Sequence, residues 1–392
     1  MEELRIRMYN VLFGDAILIS VPDRDQTGKS LTRHILIDVG NVMSGGGGQD
    51  IVFGPVIENI IKELNGQPLD LYVMTHEHMD HVQGLLYANR KGLPNHDLKQ
   101  KLRTQHAWLT ASSAPDYYDN VTHAEARRKL DEARAVYKDI ERFNSACPEP
   151  LPPAVEALMA NNNPRDTSDC VDYIRSLAEH TWYVHRELDL TGKHPFLEAR
   201  LEIWAPEEDT SIYYGTFQPL QFGVVPGQGQ GGKAVLTTPL PPSGVDAGAF
   251  YNLVAIRRSG YMDNLLAIDK AANNTSVVFC LEWRGWRLLF LGDAELRSWK
   301  EMEKRNLLRP VHFMKVSHHG SLTGTPPVEI LEKVLPIASP DTRSRQTAVS
   351  TFVGTYNGVP DSDTLTEIGR RCALRDVRSE PGGKFIDIQI PG

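Results

Sequence analysis

Residues 75–81, THEHMDH, constrain this chain more than any other segment, because they bring several potential metal ligands together directly after a short apolar run. The run LDLYVMT, residues 69–75, is typical of a strand that is buried on both faces. A tight loop after such a strand can direct its side chains toward two neighbouring ions. Imidazoles suit zinc, iron or manganese, and a carboxylate beside another imidazole suits a second ion. The predicted ligands in this segment are His76, His78, Asp80 and His81.

A second candidate is Asp293, which follows the apolar run RLLFLG. A carboxylate that emerges from the end of a strand can bridge two cations. The alternative is a helix N-cap, because AELRSWKEME after Asp293 is a good helical sequence. Beside THEHMDH, metal bridging is the favoured interpretation.

VSHHGS, residues 316–321, repeats the pattern of polar side chains at a strand end. We expect one of its histidines to bind metal and favour His318, the first after the strand. His319 is then an outer hydrogen-bond donor or a catalytic acid. Lys315 either points at the same site or lies on the sheet surface.

The order of the remaining segments predicts an α/β fold. Alternating apolar residues near the start, AILISV and HILIDVG indicate strands, and VIENIIKEL at 56–64 indicates a helix that ends at Asn65 and Gly66. Residues 273–295 read as a hairpin that turns near Arg284 and Gly285. Strands that alternate with helices favour a sheet covered by helices.

Two segments interrupt this pattern within what we interpret as one domain, 1–392. Residues 97–195 contain a charged amphipathic helix and are predicted to be a helical insertion, which either packs on the core or contacts a substrate or a protein partner. Residues 215–248 are rich in Gly and Pro and predict a long loop, either a lid or a plain surface loop.

Composition narrows the class of protein. The net charge of −8 does not resemble the basic surface of a protein that coats nucleic acid. The four cysteines lie far apart without a CxxC pair, which argues against a disulfide framework. No signal peptide or long apolar run is present, so we expect a cytoplasmic protein without a membrane partner.

THEHMDH resembles the HxHxDH signature of the metallo-β-lactamase superfamily, and HILIDVG resembles its first, Asp-containing motif. FGDAILI, NNTSVVFCLEWRGWRLLFLGDAE and MKVSHHGSLTGTP are similar, in this order, to the metallohydrolase domain of ComEC-type DNA-uptake proteins and its stand-alone relatives. These blocks cover roughly residues 1–95 and 250–370. The resemblance implies an αββα sandwich of two mixed β-sheets.

The resemblance also implies a ligand set for two divalent ions, Zn²⁺ or Mn²⁺. His76 and His78 would bind the first ion, Asp80 and His81 the second, and Asp293 would bridge them. The strand-end histidine of VSHHGS would complete the second site. Two features depart from the family. No further histidine stands out as a ligand, and Pro360 follows Gly358-Val359 where relatives often carry a histidine. Either Asn357 or Tyr356 substitutes as a polar contact, or the position has no role. One of His180, His185 and His194 is a further candidate to complete the shell of the first ion.

These features predict a hydrolase that uses a metal-bridging hydroxide. The favoured activity is that of a phosphodiesterase or nuclease on nucleic acid or a nucleotide, with Asp80 orienting the nucleophile and His319 or Lys315 stabilising charge on the phosphate. One alternative is hydrolysis of an ester, thioester, lactone or amide. Another is a metal-binding scaffold that recruits a protein partner. A basic pocket with Lys315, Arg257 and Arg258 would favour phosphate.

Overall fold

The protein is described by a computed structural model that covers residues 2–42, 48–90, 93–146, 153–217, 262–356 and 358–392. Its strands are β1 (Glu3–Tyr9), β2 (Ala16–Arg24), β3 (Ser30–Val39), β4 (Leu69–Val73), β5 (Thr104–Thr110), β6 (Ala178–Val184), β7 (Ala199–Ala205), β8 (Val278–Trp283), β9 (Trp286–Phe290), β10 (Phe313–Lys315), β11 (Gln346–Val349), β12 (Ala373–Asp376) and β13 (Phe385–Pro391). Its helices are α1 (Gly48–Leu64), α2 (Met79–Ala88), α3 (Leu98–Lys101), α4 (Ala124–Ala146), α5 (Pro153–Asn161), α6 (Pro164–Arg175), α7 (262–274), α8 (Leu296–Lys304), α9 (Val328–Val334) and α10 (Ser362–Arg371).

The described strands form two mixed sheets. The first has seven strands in the order β13-β1-β2-β3-β4-β5-β6, antiparallel up to β3 and parallel from β3 to β6. The second has six strands in the order β12-β11-β10-β9-β8-β7, parallel from β12 to β9 and antiparallel from β9 to β7. Parallel strands in both sheets need helical crossovers, which place helices on the outer faces.

Three apolar cores define the layers. Alternate residues of one strand enter different cores, as Tyr72 and Leu71 of β4 show: Tyr72 packs with α1, α2 and α6, whereas Leu71 packs against the second sheet. On the far side of the second sheet, Leu289 of β9 packs with Trp299 of α8 and with α9 and α10. Helices, sheet, sheet and helices therefore follow one another, which confirms the predicted αββα sandwich.

The local turn signals are confirmed. Helix α1 ends where Asn65 and Gly66 have φ values of 48° and 79°, and the β8–β9 hairpin turns at Arg284 and Gly285 with φ values of 48° and 83°. Two successive residues with positive φ give a hairpin turn whose twist matches that of the strands.

The segment 97–195 is not helical throughout. It contains α3 to α6, but also β5 and β6, which extend the parallel part of the first sheet. The amphipathic stretch is α4, whose Tyr137 and Ile140 pack against α5 and α7 in a separate apolar cluster. β5 and β6 were missed because both are short, and β6, at the edge of the sheet, is only partly buried and lacks a continuous apolar run.

Most of the predicted Gly/Pro-rich loop at 215–248 lies outside the described residues. The helices in the described part of the chain are all too short or too polar to cross a lipid bilayer. The prediction of a single domain stays a prediction.

Candidate metal centre

The predicted site residues follow strand ends that meet at one edge of the sandwich. His76 and His78 follow β4, and Asp80 and His81 occupy the first turn of α2. Asp293 follows β9. It does not cap the next helix, because Glu295 stands at the N-cap of α8. The sheets therefore bring both groups of side chains to the same place from opposite layers.

Glycine allows the close approach on which this edge depends. A β-carbon at Gly40 would lie 2.2 Å from the carbonyl carbon of Asp80 and 2.2 Å from the amide nitrogen of His81. The end of β3 thus packs directly on the backbone that carries two predicted ligands. The amide of Asp15 also donates to the Asp80 carbonyl at 3.1 Å, which holds this backbone in place.

Asp80, His81, Asp293 and His319 form one compact, fully buried group whose ligand atoms lie within 4.8 Å of one another. His81 Nε2 and His319 Nε2 lie 3.2 Å and 3.1 Å from the same Asp293 oxygen, Oδ2. His319 Nε2 also lies 3.2 Å from Asp80 Oδ2. Two imidazoles and two carboxylates that converge in this way can hold a divalent metal ion.

A second group consists of His76, His78 and Asp80, so that Asp80 belongs to both. His76 Nε2 and His78 Nδ1 lie 3.0 Å apart and face the same point. Two groups that share one carboxylate are consistent with two adjacent ions. In this geometry the shared carboxylate is Asp80, whereas the bridging role expected for Asp293 stays a prediction.

Second hydrogen bonds orient the rings of His81 and His319. His81 Nδ1 donates to Asp38 Oδ2 at 2.8 Å, and Asp38 is itself held by the amide and the hydroxyl of Thr75 at 2.8 Å and 2.6 Å. His319 Nδ1 donates to the carbonyl of Ser350 at 2.9 Å. In both residues Nε2 is left to face the group, as is usual for histidines that bind metal.

The rings of His76 and His78 are held in the same manner. His78 Nε2 donates to Asn162 Oδ1 at 2.9 Å, which leaves Nδ1 facing His76. His76 Nδ1 lies 3.3 Å from the hydroxyl of Ser276, which in turn accepts from the amide of Asp293 at 3.0 Å. All four histidines therefore present one nitrogen to the centre.

Unpartnered polar atoms show that the centre fits a cation. Asp80 Oδ1 and His81 Nε2 are buried and have no hydrogen-bond partner among the described residues. A buried polar group without a partner costs about 1–3 kcal/mol. Since the two atoms face the same group, one divalent ion would satisfy both of them.

The carboxylates dominate the electrostatics. Burial alone would lower the pKa of His319, but Asp293 and Asp80 outweigh burial and raise this pKa to about 10. Burial also opposes the charged form of His81, and Asp293, Asp80 and Asp38 together raise its pKa well above the usual value. Without metal, protons on these imidazoles therefore balance the buried carboxylates at neutral pH.

We expect metal affinity to rise with pH, because a cation must displace protons from His81 and His319 before it can bind. The stabilisation that the protonated His319 gives the metal-free fold is complete below pH 6.5, its usual pKa, and disappears as the pH rises through about 10. Calorimetry in buffers of different ionisation enthalpy would count the released protons. Metal binding without proton release, and with equal affinity at pH 6 and pH 9, would contradict this expectation.

Lys315 lies behind the centre. It is buried, and its ammonium group donates to the Gly292 carbonyl at 2.9 Å and to Asp293 Oδ1 at 3.3 Å and pairs with Asp15. Burial disfavours its charge, but Asp15 and Asp293 raise its pKa. These contacts make Lys315 a positioning residue for Asp293 in this geometry. The predicted stabilisation of charge on the phosphate by Lys315 stays a prediction.

His318, the histidine that the sequence favours as ligand, lies outside the group that contains His319. Its imidazole belongs to a separate cluster with Asp269 and Glu295, and its Nδ1 lies 3.3 Å from Glu295 Oε1. The two histidines diverge because both have left-handed backbone angles, with φ values of 46° and 52°. Such angles cost non-glycine residues of the order of 1 kcal/mol or more.

We expect His319→Ala to lose one bound ion and His318→Ala to retain the stoichiometry of the wild type. The reason is that His319 Nε2 faces Asp80 and Asp293, whereas His318 faces Asp269 and Glu295. Elemental analysis of the purified variants measures the difference directly. Loss of an ion from His318→Ala alone would reverse the assignment.

Three further residues near the centre were not predicted. Asp15 pairs with Lys315, Asn162 orients His78, and Asp269 Oδ1 lies 3.7 Å from His78 Nε2. Only Asp15 had a sequence signal, since it stands in the block FGDAILI. His180, His185 and His194, considered for the first ion, belong to none of the described groups of three or more potential ligands.

The region before Pro360 contributes one residue. The ring of Tyr356 packs edge-on against Phe13, at 4.9 Å between centroids, and Phe13 contacts His319. The hydroxyl of Tyr356 is buried without a partner among the described residues. Tyr356 is therefore close to the centre, whereas Asn357 lies outside the described residues.

An αββα sandwich with a histidine- and aspartate-lined centre at one edge of its sheets is the arrangement that the sequence resemblance to the metallo-β-lactamase superfamily implies. No family model matches the chain, and no curated protein is similar to it. Among solved structures, a variant of CmlA β-hydroxylase is 11% identical with a TM-score of 0.38, and the match covers 100% of this chain and 54% of that protein. Zn²⁺-bound PqqB from Methylobacterium extorquens is 11% identical with a TM-score of 0.33, and the match covers 95% and 87% of the two chains.

The chain thus spans about half the length of the CmlA β-hydroxylase chain to which it is similar. The fold assignment rests on the sheets and layers of the chain itself. The resemblance to ComEC-type domains stays a prediction.

Proposed function

We propose that this protein is a metal-dependent hydrolase that binds two divalent ions, Zn²⁺ or Mn²⁺, and cleaves phosphodiester bonds. The observation that carries the proposal is the convergence of Asp80, His81, Asp293 and His319 beside His76 and His78, with each imidazole fixed by a second hydrogen bond. A chain that needed these residues only for folding would not leave Asp80 Oδ1 and His81 Nε2 buried and unpartnered.

Metal ions held here would supply an activated water and a clamp on the substrate oxygens. The protein positions the ligands for this task. Asp38 fixes the ring of His81, and Lys315 holds Oδ1 of Asp293 while Oδ2 faces His81 and His319. Asp80 retains one free oxygen, so it can orient a water molecule as well as bind metal.

The charge beside the centre favours an anionic substrate. Arg257 and Arg258, which the sequence suggested for phosphate binding, lie outside the described residues. Arg134 and Arg175 line the cavity that His78 also lines, and this cavity contains one carboxylate, Glu77. Arg175 pairs with Asp172, but Arg134 forms no ion pair with a described residue, and a guanidinium group that is free to bind suits a phosphate better than a neutral ester or amide.

The test is to measure metal content and hydrolysis together. We expect wild-type protein with Mn²⁺ or Zn²⁺ to cleave bis-aryl phosphodiester and at least one of single-stranded DNA, duplex DNA and RNA. The double variant Asp80→Ala, His81→Ala should lose both metal and cleavage. His96→Ala removes an exposed histidine that belongs to none of the described groups of potential ligands, so it serves as the matched control and should retain both.

Each outcome is informative. Two bound ions without cleavage of any phosphodiester would exclude the proposed substrate class and leave esters, thioesters, lactones and amides. Absence of bound metal in wild-type protein would exclude the hydrolase. Unchanged cleavage in the double variant would place the activity elsewhere.

A further inference from the structure

A cavity of about 340 Å³ opens beside the metal centre. His78 and Glu77 of the THEHMDH segment form one end of it, and the remaining walls come from the turn after β5, from α4, α6 and α7, and from Tyr118 and Tyr214. The volume falls at the lower end of the range for small-molecule sites. A single compact group fits into such a space, whereas a nucleic-acid duplex does not.

One of the two arginines that line this cavity is not neutralised like its neighbours on α4. Three other arginines of α4 form ion pairs. Arg127 pairs with Asp119, Arg128 with Glu125 and Glu132, and Arg142 with Asp139. Arg134 lies on the same helix and forms no ion pair with a described residue, although it lines the cavity. This arginine is therefore available to an anionic ligand.

Arg175 of α6 adds a second cation to the cavity. Its terminal nitrogens bond to Asp172 and to the carbonyl of Ser113, which fix the guanidinium at the wall. Its Nε is buried and has no hydrogen-bond partner among the described residues. A fixed arginine with a free donor is suited to a phosphate oxygen.

The remaining walls suit a planar group with hydrogen-bonding edges. Tyr118, Tyr137 and Tyr214 contribute aromatic rings, and the hydroxyl of Tyr137 donates to the Met159 carbonyl at 2.8 Å, which fixes this ring. Glu77 makes no hydrogen bond with a described residue, so its carboxylate can accept from the N–H groups of a base. Aromatic rings and arginines are the usual partners of single, unpaired bases.

We propose that this cavity binds one nucleotide unit, with its phosphate toward Arg134 and Arg175 and its base among the tyrosines, and so presents the adjoining phosphodiester to the metal centre. This deepens the proposed function and rests on it. The unit comes either from a free nucleotide or from the end of a single strand, which share the same chemistry. The segment 97–195 then supplies much of the substrate site.

Calorimetric titration of metal-loaded protein tests the proposal. The probes are the four 5′-deoxynucleoside monophosphates, deoxyribose 5-phosphate and inorganic phosphate. We expect at least one nucleotide to bind about tenfold or more tighter than deoxyribose 5-phosphate, because stacking on aromatic rings adds affinity that phosphate contacts with metal do not provide. Equal affinity for nucleotides and deoxyribose 5-phosphate would overturn the proposal.

Paired arginine variants of α4 provide the control. Arg134→Ala should weaken nucleotide binding about tenfold, the loss expected for one charge-assisted hydrogen bond, whereas Arg128→Ala removes the same charge outside the cavity and should bind like wild type. Metal content should be unchanged in both. Wild-type affinity in Arg134→Ala would overturn the proposal.

Competition identifies the source of the nucleotide. Stronger competition by linear than by circular single-stranded DNA indicates a strand end, and stronger competition by mononucleotides indicates a free nucleotide; a duplex as the strongest competitor contradicts the proposal. Bis-aryl phosphodiester separates the two hypotheses. If the protein cleaves this compound in a metal-dependent reaction but binds no nucleotide, only the inference about the cavity is refuted. If it binds a nucleotide but cleaves no phosphodiester, only the proposed hydrolase is refuted.

Discussion

Asp293→Asn should lower metal affinity by more than about 100-fold and abolish metal-dependent cleavage. Residues that only orient metal ligands typically contribute about 10–100-fold in affinity or activity, so the loss of a ligand should exceed this range. Asp293 Oδ2 lies within 3.2 Å of both His81 Nε2 and His319 Nε2. An amide at this position removes the negative charge that attracts a cation to the two imidazoles. Metal titration followed by elemental analysis measures the effect.

The asparagine keeps the volume of the side chain, so the fold should remain intact in this variant. Asp139→Ala, which removes a half-exposed carboxylate of α4, is the matched control and should bind metal like wild type. Two ions bound with wild-type affinity in Asp293→Asn would exclude Asp293 from the ligand set and undermine the proposed centre.

Gly40→Ala should destabilise the protein by about 3 kcal/mol or more, at the upper end of overpacking effects. The added methyl group would lie within 2.3 Å of backbone atoms of Asp80 and His81, and a backbone held by its own hydrogen bonds cannot move away as a flexible side chain can. Urea unfolding of metal-free protein measures the change without interference from metal binding.

Gly369→Ala provides the matched control. Gly369 is exposed in α10, and a β-carbon there meets no atom within 4 Å. Alanine is the better helix former, so this variant should gain up to about 1 kcal/mol. If both variants had the same unfolding midpoint, β3 and the THEHMDH segment would not be packed as closely as described.

Much of the fold was predictable because its signals are local. Asn65-Gly66 and Gly285 mark turns through residues that tolerate positive φ, and apolar runs before THEHMDH and Asp293 mark buried strands. A polar residue directly after a buried strand has little choice of position. For this reason the sequence placed Asp80, His81 and Asp293 in one cluster.

The choice between His318 and His319 was not predictable. Both follow β10, and their directions depend on two successive left-handed conformations that neither histidine favours by itself. These conformations are imposed by contacts distant in sequence, such as the bond from His319 to the Ser350 carbonyl. Asn162 and Asp269 escaped prediction for the same reason, because only the packing of α5, α6 and α7 brings them to His78.

The group of Asp80, His81, Asp293 and His319 has a mechanical consequence. His81 and Asp80 follow a strand of the first sheet, whereas Asp293 and His319 follow strands of the second, so an ion held by all four would link the two sheets of the sandwich. Chelation would remove this link and leave only the contacts of His81 with Asp293 and of His319 with Asp80 to hold the seam. Amide hydrogens along β4 and β9 should then exchange faster than those at the opposite edge, where β13 pairs with β1. The ions would then stabilise the fold as well as serve the reaction, and the metal-free protein would be more susceptible to proteolysis.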